Sequence, residues 1–135
     1  MQFAELQVGQ LAEHSKTVTE ADVVLYAGIT GDFNPVHIDQ VYAEKTRFGG
    51  RIAHGMLTAG FISAVLGTKL PGEGSIYMTQ SLRFLRPVRI GDTVTARIEV
   101  IELFPDKKRV LLATSCRNQA GEMVVDGEAL VLMQG

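Results

Sequence analysis

The chain has 135 residues, 46% of them hydrophobic and 21% charged, enough to build one real core and too few for two comfortable domains. Thirteen basic residues against fifteen acidic leave a net charge of −2, so no basic stripe is available to neutralise a run of phosphates, which excludes nucleic acid as the main partner. One cysteine, Cys116, excludes an internal disulfide framework and a Cys-rich zinc site.

The first 70 residues read as helices and loops, the last 60 as strands. MQFAELQVGQLAEH lacks the basic start and apolar run of a signal peptide, and His14 falls in a polar, exposed-looking stretch. TVTEADVVLYAGITGD opens with Thr19 and Asp22 at capping-box spacing. Val23, Val24, Ala27 and Ile29 then give a partly apolar helical face. Gly31 is placed to end that helix in a left-handed conformation. GDFNPVHID follows. Pro35 disfavours helical geometry at Asn34, so the stretch is expected to be a loop. Asp39 reads as the N-cap of a short helix over QVYAEKTRF.

GGRIAHGMLTAGFISAVLGTKLPGEG predicts a helix starting at His54 or Gly55 and stopped by Pro71 and Gly72. Its body, Met56 to Leu66, is apolar nearly all round, so protein should wrap it on most sides. Residues 56–67 are the longest apolar run and fall short of a membrane span. A cytoplasmic protein with no membrane partner is expected. SIYMTQSLRFLRPV, DTVTARIEVIELF, KRVLLATSCRNQ and EMVVDGEALVLM are four strand candidates, separated by turn chemistry short enough for antiparallel neighbours. Cys116 alternates inward in one of them and reads as a buried structural thiol. The fold class is α+β: an antiparallel sheet around one buried helix.

The chemistry concentrates at the loop and the helix start. Asp32 and His37 are five residues apart across a proline-stiffened turn, so both can reach one small molecule. A carboxylate and an imidazole sharing one water can take a proton and give one back. Asn34 can orient that water. Backbone N–H groups at a helix start are unpaired and sit at the positive end of the dipole. Gly55 there leaves room for a carbonyl oxygen, as an oxyanion hole requires. From spacing alone, such a loop is more often a turn satisfying its own backbone than a catalytic site. His54 reads as a structural hydrogen-bonding residue. Ser63, about two turns into the helix, either lines a pocket or bonds back to a carbonyl one turn earlier. Asp32, His37, Asp39 and His54 match no recognised metal-ligand spacing, and the glycines form no nucleotide-binding pattern, so neither metal nor cofactor is expected.

The residues Asp32-Phe33-Asn34-Pro35-Val36-His37-Ile38-Asp39, followed by Ile52-Ala53-His54-Gly55-Met56, resemble the hydratase-2 signature of MaoC-like, R-specific enoyl-CoA hydratases. GSIYMTQSLRFLRPVRIGDTV is also similar, and the likeness runs from about residue 7 to the C-terminus. The resemblance implies a single hot-dog domain over residues 1–135 and a homodimer whose sheets join edge to edge. It implies reversible syn addition of water to a trans-2-enoyl-CoA, giving the (R)-3-hydroxyacyl-CoA. By position, Asp32 and His37 match the catalytic pair and Asn34 the water-positioning residue. The Gly55 N–H matches the oxyanion donor, and Ser63 a serine near the substrate. Which of Asp32 and His37 removes the water proton stays open. So does the carrier: a dehydratase of acyl carrier protein thioesters would share the fold. An acyl-CoA thioesterase and a non-catalytic acyl-binding module are further alternatives. Arg83, Arg86 and Arg89 read either as contacts for carrier phosphates or as solvated surface charges.

Overall fold

Val94, Ala96, Ile98 and Val100 are fully buried at every second position, and Val110, Leu112, Thr114 and Cys116 repeat the pattern. Alternation with more accessible residues is what one covered sheet face demands. In the computed structural model, which describes all of residues 1–135, these runs are β4 (Thr93–Phe104) and β5 (Arg109–Arg117). β6 (Met123–Met133) completes the centre. With β1 (Leu11–Thr17), β2 (Ser75–Gln80) and β3 (Arg83–Phe84), every pairing is antiparallel, in the order β1-β4-β5-β6-β2, with β3 also paired to β6.

The first strand candidate is two strands, β2 (Ser75–Gln80) and β3 (Arg83–Phe84). Both pair with β6, and the chain bends between them where Ser81 lies against Gly127. A Cβ on Gly127 would sit 1.8 Å from the Ser81 carbonyl oxygen, so only glycine admits that approach. β1 (Leu11–Thr17) was not expected; it pairs with β4 at one sheet edge. His14 lies in it and is half-buried rather than exposed.

The long helix is α4 (Gly55–Thr68), with His54 as its N-cap. Phe61, Ile62, Val65 and Leu66 join the inner faces of the sheet in one buried cluster. Each such side chain contributes about 1.5–3 kcal/mol on burial. The Cys116 thiol lies in the same cluster, and burial pushes its pKa up to about 12, which fits a structural thiol. The opposite side of α4 differs from expectation. Met56, Gly60, Ser63, Ala64 and Gly67 are exposed, so the single chain wraps the helix on one side only. No helix is long and apolar enough to cross a membrane.

Three short helices precede α4. α1 (Glu20–Thr30) has the expected capping box: the Thr19 Oγ1 accepts from the Asp22 N–H at 3.1 Å, and an Asp22 oxygen accepts from the Thr19 N–H at 3.0 Å. Gly31 ends it at φ 84°. Only Val23 and Ala27 of its apolar residues are buried; Val24 and Ile29 face out. The expected loop holds through Asn34, which stays non-helical as N-cap, and then gives way to a single helical turn, α2 (Pro35–Ile38), because Pro35 occupies the first helical position, where its missing N–H is harmless. α3 (Gln40–Glu44) follows, with Asp39 as N-cap.

Candidate active site

Asp32 sits in the turn between α1 and α2. The Asn34 N–H donates to its Oδ1 at 3.3 Å, and the Asn34 Oδ1 accepts from the Val36 N–H at 3.2 Å. The loop therefore satisfies its own backbone and also presents a carboxylate. Asn34 is exposed, and its carbonyl end is committed to capping α2.

His37 is 8% exposed on α2. Its Nδ1–H donates to the Ile52 carbonyl at 2.8 Å, which leaves Nε2 as the proton-accepting atom of the neutral ring. Burial holds this imidazole below its ordinary value. The Ile52 carbonyl pushes the other way, His54 lowers it further and the Asp32 carboxylate raises it. Arg51, absent from the sequence reading, fixes the turn from behind. Its Nε donates to the His37 carbonyl at 2.6 Å and its Nη1 to both Glu20 carboxylate oxygens at 2.8 Å. No spacing rule marks that residue, because its partners lie in α1 and α2.

His54 reaches across from α4. Its Nε2–H donates to the Asp32 backbone carbonyl at 2.9 Å, and its ring lies against His37 with centroids 3.9 Å apart. The structural role expected for it is what the geometry shows. Asp32, His37 and His54 each bring one possible metal-ligand atom within 4.8 Å of the others. The two imidazole planes are only 30° apart with centroids 3.9 Å apart, so the planes do not meet close to both rings. A shared ion would have to lie in both planes at about 2.0–2.1 Å, and the stack disfavours that.

Asp32, His37, His54 and Gly55 line one cavity of about 410 Å³, together with Ala53, Thr58, Phe84, Val88 and Val125. The Gly55 and Met56 N–H groups begin α4 and donate to no group of the chain, so they are free to bind an anionic oxygen at the positive end of the helix. The structure adds a second reason for glycine to the expected one. A Cβ at Gly55 would sit 2.7 Å from two carbons of the Phe84 ring. Glycine here admits that aromatic wall. Ser63 is not in the cavity; it lies on the exposed side of α4.

The arginines divide. Arg83 pairs with Asp126 at 2.7 Å and Arg86 with Glu122 at 3.1 Å, while Arg89 donates to the Phe48 carbonyl. Arg47, also at the cavity, has no acidic partner; its guanidinium lies 4.9 Å from the centre of the Phe48 ring.

A single antiparallel sheet curled around one long helix is the hot-dog arrangement. Within that class the chain belongs to the MaoC-like family: residues 3–118 match the family model described as MaoC like domain. It is 54% identical to the (R)-specific enoyl-CoA hydratase of Rhodospirillum rubrum, over 97% of this chain and 90% of that one. It is 52% identical to the 3-hydroxybutyryl-CoA dehydratase of Methylorubrum extorquens, over 96% and 82% of the two chains. The solved structure of R-hydratase PhaJ1 from Pseudomonas aeruginosa superposes with a TM-score of 0.93 at 52% identity, covering 98% of this chain and 84% of that one.

Proposed function

We propose that this chain is an (R)-specific enoyl-CoA hydratase, a hydro-lyase that reversibly adds water to a trans-2-enoyl-CoA. The observation that carries the reading is one cavity holding three things: a buried imidazole with a free Nε2, a carboxylate beside it, and unpaired N–H groups at a helix start. Asp32 holds the water through one hydrogen. His37 Nε2 takes the other proton as the oxygen attacks C3. The electron pair moves onto the thioester oxygen, which the Gly55 N–H stabilises. His37 then returns the proton to C2 from the same side, giving syn addition. The Asn34 amide nitrogen, left free by the cap, helps to position the water. Water is the only co-reactant, so no cofactor is needed. Arg47 is the cation best placed to meet the phosphates of the CoA carrier.

Residues 1–135 form one MaoC-like hot-dog domain in this reading, since the buried cluster draws on Leu6 near one end and Met133 near the other. Two copies pair edge to edge through β2. That strand exposes Ile76, Tyr77 and Met78, and its outer backbone groups have no partner strand. Ser63, on the bare face of α4, contributes to substrate binding in the assembled dimer. The protein works in the cytoplasm with its thioester substrate.

Hydration of crotonyl-CoA in D₂O tests the reading. The expected product carries one deuterium at C2, on the same face as the new hydroxyl, with no thiol freed. Thiol release without loss of the double bond would replace the hydratase by a thioesterase.

A further inference from the structure

Two buried polar atoms in the cavity wall are used by nothing described so far. His54 Nδ1 and Thr58 Oγ1 have no hydrogen-bond partner, although both residues are only 1% exposed. They lie one turn apart on α4, and both residues line the same cavity as Asp32 and His37. Buried polar groups are nearly always paired, and one left alone calls for an explanation.

The chemistry of the two atoms is complementary. His54 Nε2 faces the Asp32 carbonyl, which can only accept, so the proton sits on Nε2. In the neutral ring Nδ1 is then an acceptor. The Thr58 hydroxyl is a donor whose hydrogen turns freely about its C–O bond. The Thr58 backbone carbonyl is already engaged by the Cys116 thiol at 3.7 Å, and its N–H by the His54 carbonyl at 3.4 Å. The main chain of Thr58 is thereby fixed while its hydroxyl is not.

The His54 ring also has two aromatic neighbours. Tyr26 of α1 lies 4.6 Å away, centroid to centroid, and His37 of α2 lies 3.9 Å away. One imidazole therefore joins α1, the Asp32 turn, α2 and the start of α4. Whatever sets its tautomer and tilt sets the position of Asp32 relative to His37.

We propose that Thr58 and His54 form a positioning relay, in which the Thr58 hydroxyl donates to His54 Nδ1, directly after side-chain rotation or through one water. The relay holds the tautomer whose Nε2–H fixes the Asp32 turn, and so aligns Asp32 with His37. It rests on the hydratase reading. Neither member touches the reacting atoms: both act through the Asp32–His37 pair, so their removal lowers kcat and leaves KM largely alone.

The test uses Thr58→Val, Thr58→Ser, His54→Phe and the Thr58→Val/His54→Phe double variant, with crotonyl-CoA as substrate. Thr58→Val replaces a hydroxyl by a methyl of similar shape. The expected result is a fall in kcat of about tenfold with KM within about twofold. Thr58→Ser, which restores the hydroxyl, recovers most of the loss. His54→Phe keeps a ring in the stack but loses both nitrogens, and lowers kcat further. In the double variant Thr58→Val adds nothing, because the acceptor is already gone. The relay is overturned if Thr58→Val keeps full kcat and melts higher, as removal of an idle buried hydroxyl would produce. It is also overturned if the two losses multiply. Should His54→Phe fail to fold, the Val and Ser variants at Thr58 decide alone. An inactive wild type overturns the hydratase reading and the relay with it; an active wild type indifferent to Thr58 overturns the relay only.

Discussion

Gly55 carries two demands at one position. In the proposed reaction its N–H stays open to a thioester oxygen, and its α-carbon must accept the Phe84 ring. A methyl there would lie 2.7 Å from ring carbons, closer than real contacts permit. Phe84 is exposed enough to swing away, so Gly55→Ala is expected to fold, with kcat/KM down about tenfold or more and a lower melting temperature. Adding Phe84→Ala should recover the lost stability by removing the clash. Melting curves and initial rates on the single and double variants check this. His37 sets the pH dependence. Its folded pKa lies below the ordinary imidazole value of 6.5, chiefly through burial. The neutral ring that the proposed mechanism uses as proton acceptor is favoured by that shift, and kcat/KM should fall only as pH drops through a value below 6.5. The same shift contributes stability that is full above 6.5 and lost as pH falls through the folded value. A pH–rate profile with its acid limb above 6.5 would contradict the assignment. Asp32 and His37 were legible because both fall in one short turn. The second demand on Gly55 was not, since Phe84 is distant in sequence and meets it only in the folded chain.

At the scale of elements, the strands with the strongest alternation were the most legible. β4, β5 and β6 bury Val, Ile, Leu and Ala at every second position along most of their length, and hydrophobicity marks that pattern directly. β1 hid because its more covered residues are Ala12, His14 and Lys16, and its more open ones Leu11, Glu13, Ser15 and Thr17. A strand covered through a small side chain, an imidazole and an alkyl stem shows no hydrophobic period. The turn at Pro35 misled for a different reason. Proline bars helix at the residue before it, yet it also starts helices, and Asn34 supplies the cap that lets it do so here. The α1 caps were readable in full because both are local, three or four residues in reach. α4 was expected to be wrapped on most sides, and its apolar composition is real, but this chain covers one side and leaves Met56, Gly60, Ser63, Ala64 and Gly67 open.

At the scale of the whole molecule, that bare face and the β2 edge make one prediction. Ile76, Tyr77 and Met78 are about 40% exposed on a strand with an unpaired outer edge. A soluble monomer would blunt such an edge with charge, proline or a bulge; the irregularity between Tyr77 and Thr79 is the only such device along β2. Sedimentation should give a dimer, and Tyr77→Lys should shift it toward monomer with loss of activity. A wild-type monomer of full activity would contradict the pairing. The α+β arrangement was legible from the order of elements, one long apolar helix and then four strand runs with short turns; the hot-dog fold was implied by the family resemblance. The site was legible as far as its residues share a turn or a helix start. The parts contributed by Arg51, Phe84 and Thr58 needed the packed structure.

The most direct measurement of the central claim is crotonyl-CoA hydration by the wild type beside Asp32→Asn and His37→Gln, with each fold checked and the product's configuration assigned. The account predicts rapid loss of the enoyl thioester to the (R)-3-hydroxy product in the wild type. It predicts a fall of roughly three orders of magnitude or more in both folded variants, the scale of general acid–base catalysis. Near-normal turnover in either variant, or an (S) product, would contradict it.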